Sequence, residues 1–188
     1  DSQIPNKAAL EWVKAGHLFP EKVQVTPEKT YGNSRFDLYV ESLERKAFIE
    51  VKGVTLEEKN IVRFPDAPTI RGVKHLEELI RAGRDGYEAY LLLVIQMKDV
   101  KYFEPNWETH PEFGETLRKA AAAGVHILAY DCAITEDSME ICDPVPVNLE
   151  DTYSANLCDQ HKLRESQSVL PDTERTATET GTERNTHA

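Results

Sequence analysis

The chain has 188 residues, 40% of them hydrophobic and 29% charged, with a formal net charge of −11. That is enough apolar material for one globular domain with its own core. The acidic balance excludes general electrostatic binding to nucleic acid, which needs lysines and arginines against phosphates. Any such partner must be met by a local patch, a metal-bridged site or a domain that is not in this chain.

From the front, "IPNKAALEWVKAG" reads as a helix, with Asn6 as its N-cap and Gly16 closing it. "KVQVT", Lys22 to Thr26, alternates like a strand, and "YGNS", Tyr31 to Ser34, has turn chemistry. Two strands follow, Arg35–Glu41 and Lys46–Gly53. "LEEKNIVRFPDAPT", Leu56 to Thr69, reads as a loop. "IRGVKHLEELIRAGRDG" is an amphipathic helix. Val73, Leu76, Leu79 and Ile80 face the core; Arg71, Lys74, His75, Glu78 and Arg81 take the solvated side.

"EAYLLLVIQM", Glu88 to Met97, is a continuous apolar run and so a buried strand. Pro111 to Gly124 is a helix with Pro at its start and Gly at its end. Val125–Ile134 and Ser138–Val147 are strands. The order predicts an α/β protein with a mixed β-sheet flanked by helices, over residues 1–147. From about 148 to 188 the chain is rich in Thr and Glu and poor in large apolar residues, which predicts a disordered tail. Cys132, Cys142 and Cys158 form no close pair and read as the reduced thiols of a cytoplasmic protein. No apolar run reaches the roughly 18 residues of a membrane span, and no leader precedes the first helix.

The central hairpin carries the chemistry. In Lys46–Gly53, Glu50 and Lys52 share one face, while Ala47, Ile49 and Val51 share the other. With a turn at Leu43–Glu44, Asp37 falls opposite Glu50, and such partners stand about 5 Å apart. Two carboxylates at that separation repel. A divalent cation removes the conflict, because Mg²⁺ takes one or two carboxylates with waters and phosphate oxygens. Lys52 could then activate a water or stabilise charge on phosphate. The alternative is a solvated strand face with Asp37 paired to Arg35 and Glu50 to Lys52. Beyond the hairpin, Thr69, Arg71, Lys74 and His75 gather near a helix N-terminus, where free N–H groups favour anions. Their alternative is an ordinary solvated helix face. A Zn²⁺ site from His126, Cys132 and Cys142 lacks a close ligand pair, and Trp12 and Trp107 are too isolated to stack bases.

The stretches "YGNSRFDLYVE", "IEVKGVTL", "FPDAPTIRGVKHLEEL" and "VIQM" closely resemble the sugar fermentation stimulation protein A family. That family is similar to the PD-(D/E)xK nuclease-like superfamily, which implies a restriction-endonuclease-like αβββαβ core. The resemblance places the superfamily's acid and ExK positions on Asp37, Glu50 and Lys52. It puts the leading-helix acid on Glu11, a third metal ligand, and the polar residue of the next buried strand on Gln96. Phe36 stands where the superfamily often has proline.

By resemblance, Mg²⁺ or Mn²⁺ is the cofactor and DNA, bound without marked sequence preference, is the partner. Ser34, Arg35, Thr69, Arg71, Lys74, His75 and Gln96 are then the substrate-binding residues. The family is linked to regulation of sugar use. The chain is therefore expected to be a DNA-binding protein with a nuclease-like metal site, a Mg²⁺-dependent DNA phosphodiesterase or a non-catalytic regulator. An OB-like domain precedes the nuclease-like one in similar proteins, and no such barrel is recognised here.

Overall fold

The computed structural model describes residues 3–159. Helix α1 (Ile4–Lys14) leads into β1 (Gln24–Tyr31), β2 (Ser34–Glu41) and β3 (Lys46–Val54). A short hairpin, β4 (Leu56–Glu58) and β5 (Ile61–Phe64), precedes α2 (Ile70–Arg84) and β6 (Glu88–Ile95). Then come β7 (Tyr102–Pro105), α3 (Pro111–Ala122), β8 (His126–Ile134) and β9 (Met139–Pro144). The main sheet has the order β1-β2-β3-β6-β8-β9. Its centre, β3-β6-β8, is parallel, and its outer strands are antiparallel. This is the expected mixed sheet flanked by helices, a restriction-endonuclease-like α/β fold.

Helices cover both faces. On one, Ala8, Trp12 and Val13 of α1 pack on Leu38, Ile49 and Leu92. On the other, Leu76 and Leu79 of α2 and Phe113 and Leu117 of α3 pack on Phe48, Leu91 and Leu93. Because β6 is covered on both sides, seven of its eight residues are buried and its sequence cannot alternate. Each fully buried leucine there contributes about 2 kcal/mol. Helix α2 starts where Thr69 accepts a hydrogen bond from Gly72 N at 2.9 Å. It stops before Gly86, whose φ of +94° lies in the left-handed region.

The structure corrects several expectations. The predicted loop 56–69 contains β4 and β5, which join β7 in a second, three-stranded sheet. These strands have three to four residues, too few for a periodicity to register. Strand β1 extends to Tyr31, because β2 pairs with it up to a two-residue turn, Gly32–Asn33. Helix α1 is capped at Gln3 rather than Asn6, with proline in its first turn. The final strand ends at Pro144 rather than Val147.

The start of the predicted tail is anchored. Asn148 N donates to Phe103 O at 2.8 Å, Trp107 Nε1 to Glu150 O at 2.9 Å and Arg118 Nε to Leu149 O at 2.6 Å. The first compact unit accordingly runs to Tyr153. The second, from Ser154, is described only to 159, a helical stretch, and the rest of the predicted tail lies outside the described residues. Among the described residues no helix is long and apolar enough to cross a membrane.

Candidate functional site

The β2–β3 ladder has the register read from the sequence: Glu41↔Lys46, Val40↔Ala47, Tyr39↔Phe48 and Leu38↔Ile49. It ends there. At the next position Asp37 Oδ2 accepts from Val51 N at 2.7 Å, so a side chain replaces the backbone acceptor. Asn6 Nδ2 of α1 donates to Asp37 Oδ1 at 2.7 Å. The β1 ladder is interrupted at the same level: Pro27 pairs with Leu38 and Lys29 with Phe36, leaving Glu28 with φ +56°. Such a backbone costs a non-glycine residue about 1–2 kcal/mol. Asp37 thus stays in β2 but has no ladder partner on either side.

Glu50 points toward α2 and is 2% exposed. Its Oε1 accepts from Lys52 Nζ at 2.6 Å and from His75 Nδ1. Its Oε2 is buried with no partner. Asp37, Glu50, Lys52, Gly53, Arg35 and Arg71 all line one cleft of about 400 Å³.

Burial, then the charge of Glu50, pushes the Asp37 carboxyl up to about 6, against the Val51 N–H, Lys52 and Asn6. Burial also pushes Glu50 upward, but His75 and Lys52 outweigh it and hold Glu50 below the usual carboxylate range. The two acids are pulled apart, which is the pattern that lets neighbouring carboxyls take different roles.

The predicted residues separate into groups. Asp37, Glu50, Lys52, Arg35 and Arg71 share the cleft. Glu50 does pair with Lys52, while Arg35 pairs with Glu28 at 3.6 Å rather than with Asp37. Lys74 reaches Asn33 O at 2.9 Å, and Thr69 caps α2. Ser34 is buried, with its Oγ lacking a partner, and is not on the cleft wall.

His75 and Glu78 were placed on the solvated side of the helix, yet they are 5% and 8% exposed. The buried face of α2 is wider than its apolar stripe, because His75 finds Glu50 and Glu78 finds Arg81 at 3.2 Å. Gln96 is the first residue beyond β6 and is half-buried. With Glu11 it lines a second depression, while its Nε2 lies beside Gly53 of the cleft wall. The α1 residue that reaches Asp37 is Asn6. The sequence offered Asn6 only as a helix N-cap, with no signal toward the site. Gln3 and Glu28, also on the cleft wall, carried no signal at all. Trp12 and Trp107 are core residues, at 7% and 5% exposed.

Residues 3–138 match the sugar fermentation stimulation protein RE domain. The chain belongs to the sugar fermentation stimulation protein family. It is 57% identical over 149 residues to a family homolog of Clostridium beijerinckii, covering 79% of this chain and 66% of that protein. A homolog from Thermoanaerobacter pseudethanolicus is 47% identical over 151 residues, with the same coverage. The fold is similar to a solved structure described as Pyrococcus furiosus SfsA in complex with Ca²⁺. There the TM-score is 0.71 and the identity 28%, over 79% of this chain and 65% of that one. The chain therefore spans about two thirds of the length of these family relatives.

Proposed function

We propose that this chain is the nuclease-like part of a DNA-binding protein in which Asp37 and Glu50 hold a divalent cation, Mg²⁺ or Mn²⁺. The observation that carries the reading is Glu50 Oε2, a buried carboxylate oxygen with no partner, on a residue that lines the cleft. Leaving such an atom unanswered is costly, and a hard cation would answer it. The Asp37 carboxyl, raised by burial first and by the charge of Glu50 second, is a neighbouring group that a cation would likewise favour in its charged form. Among the described residues no three His, Cys, Asp or Glu side chains form a ligand cluster. Two carboxylates, completed by waters and phosphate oxygens, are what Mg²⁺ commonly takes. The Pyrococcus furiosus relative is a Ca²⁺ complex, and Ca²⁺ is likewise a hard ion that prefers oxygen.

When bound, such an ion would polarise a phosphate oxygen and acidify a water. The chain's own groups supply the rest. Arg35 and Arg71 draw the phosphate into the cleft, and Lys74 stands on the next turn of α2. Lys52 releases Glu50 to hold the attacking water or the phosphate oxygen that gains charge. Asp37 stays seated through Val51 N–H and Asn6. Arg35, Arg71 and Lys74 provide the local basic patch that a chain of net charge −11 needs to meet DNA.

A second reading is DNA binding without cleavage, in keeping with a regulator of sugar use. It is favoured by the bonds that Asp37 and Glu50 Oε1 already make within the protein. The test is calorimetric titration of Mn²⁺ into the wild type and Glu50→Gln, followed by cleavage gels with single- and double-stranded DNA. The phosphodiesterase reading expects uptake that weakens at least about tenfold in the variant, with cleavage stopped by EDTA. DNA binding that persists in EDTA, without cleavage, supports the regulator. No uptake by the wild type overturns the cation site.

A further inference from the structure

A glutamate turns about three side-chain bonds, so it presents a chosen oxygen to a ligand only where something fixes it. Glu50 is fixed at Oε1 alone, by Lys52 and His75. A carboxylate only accepts, so His75 Nδ1 carries the proton of their bond. The other ring nitrogen, Nε2, lies 3.5 Å from Arg71 Nε. A guanidinium only donates, so Nε2 turns its lone pair that way. The two contacts together select the Nδ1–H tautomer. His75 is 5% exposed, is backed by the Phe36 ring in a T-shaped contact, and is not on the cleft wall. Arg71 is exposed and does line the cleft.

We infer that His75 is a positioning residue: it holds Glu50 by Oε1 so that Oε2 is the oxygen left open to a ligand, and it links that carboxylate to Arg71. The inference rests on reading Glu50 as a cation ligand. Its chemical consequence concerns Lys52. If Lys52 were the sole hold on Glu50, moving its ammonium to a phosphate or a water would release the carboxylate. With His75 on Oε1, Lys52 is free to leave while Oε2 keeps its aim. Partners of this kind behind a metal ligand typically change metal affinity by about 10–100-fold when removed. His75 is thus not a phosphate contact, although its place in "IRGVKHL" puts it one residue from Lys74.

The test has two arms. In the first, Mn²⁺ is titrated into the wild type, His75→Leu and His75→Asn, each checked for folding by its melting temperature. The asparagine amide stands about where Nδ1 does and can donate to Glu50. The expected result is affinity at least about tenfold weaker in His75→Leu and restored to within about threefold in His75→Asn. A folded His75→Leu that binds like the wild type overturns the inference. So does a His75→Asn as weak as His75→Leu, because the ring's packing rather than its donor would then be what matters.

The second arm needs no metal. A long-range ¹H–¹⁵N spectrum of the wild-type ring should show the Nδ1–H tautomer, and Glu50→Ala should lose it. The Nε2–H tautomer in the wild type overturns the inference. If the wild type takes up no Mn²⁺, the cation reading fails and the ring spectrum alone decides whether His75 holds Glu50.

Discussion

Two glutamates are buried to nearly the same depth in this molecule and are treated in opposite ways. Glu104 on β7 is 3% exposed, and Glu50 on β3 is 2% exposed. Both oxygens of Glu104 are answered. Oε1 takes Arg63 Nε at 2.8 Å and Nη2 at 2.7 Å, and Oε2 takes Thr152 Oγ1 at 3.0 Å. Glu50 crowds Lys52 and His75 onto Oε1 and leaves Oε2 bare. A buried charge costs several kcal/mol unless its hydrogen-bonding capacity is filled. Glu104 is filled and serves structure, pinning the segment after β9 to the small sheet. Glu50 is half filled beside a cleft. Burial alone therefore does not mark a site; an unanswered carboxylate oxygen on a cleft residue does.

The largest effect should come from unbalancing the filled glutamate. Glu104→Gln removes the charge from a bidentate pair and should lower the unfolding free energy by about 2–3 kcal/mol. Glu50→Gln should cost about 1 kcal/mol or less, since its carboxylate is only partly compensated. Equilibrium urea unfolding of both variants decides, and equal losses would break the comparison.

Two glycines sharpen it next. A Cβ at Gly114 would meet the Trp107 ring at 2.4 Å, and one at Gly53 would meet Gln96 Nε2 at 2.7 Å and Pro5 Cγ at 2.9 Å. The indole cannot yield, while at Gly53 the end of Gln96 can turn and the Pro5 ring, less crowded than the indole, need only shift slightly. Gly114→Ala should cost about 2 kcal/mol and Gly53→Ala about 1 kcal/mol by the same measurement. The reverse order would mean that the cleft wall is the more rigid region.

The smallest effect is in pH dependence. Asp37 rises from an ordinary 3.8 to about 6, so the folded state favours its protonated form. Its charge is a penalty above about pH 6 that fades as pH falls through that value. Asp37→Asn should then gain about 1 kcal/mol at pH 7.5 relative to its effect at pH 5. Glu50, held low, has the opposite sign: its charge adds stability above the ordinary value of 4.5, and this is lost as pH falls through the lower folded value. From pH 7.5 to 5 the melting-temperature offset of Asp37→Asn from the wild type should therefore shrink, while that of Glu50→Gln stays level and changes only below about pH 4.5. A Glu50→Gln offset that follows that of Asp37→Asn between pH 5 and 7.5 would show that the two acids titrate as one.

Much of the frame was legible from local pattern. The hairpin register followed from its turn, and the parity of Glu50 and Lys52 from the pleat. The unbroken apolar run of β6 announced a strand covered on both faces. These features are local because spacing along one strand or helix fixes which side chains share a face.

What the tertiary structure decided was where each polar group finds its partner. Sequence periodicity put His75 with the solvated residues; only the packing of α2 on β3 turns it onto Glu50. It read Asn6 as a helix cap, whereas the approach of α1 brings Asn6 to Asp37. It read 56–69 as loop, because strands of three or four residues exist only by pairing, β4 with β5 and β5 with β7. An apolar side chain needs merely to be inside, and a repeat can encode that. A buried polar atom needs one particular partner at about 3 Å, and chain elements far apart in sequence supply it.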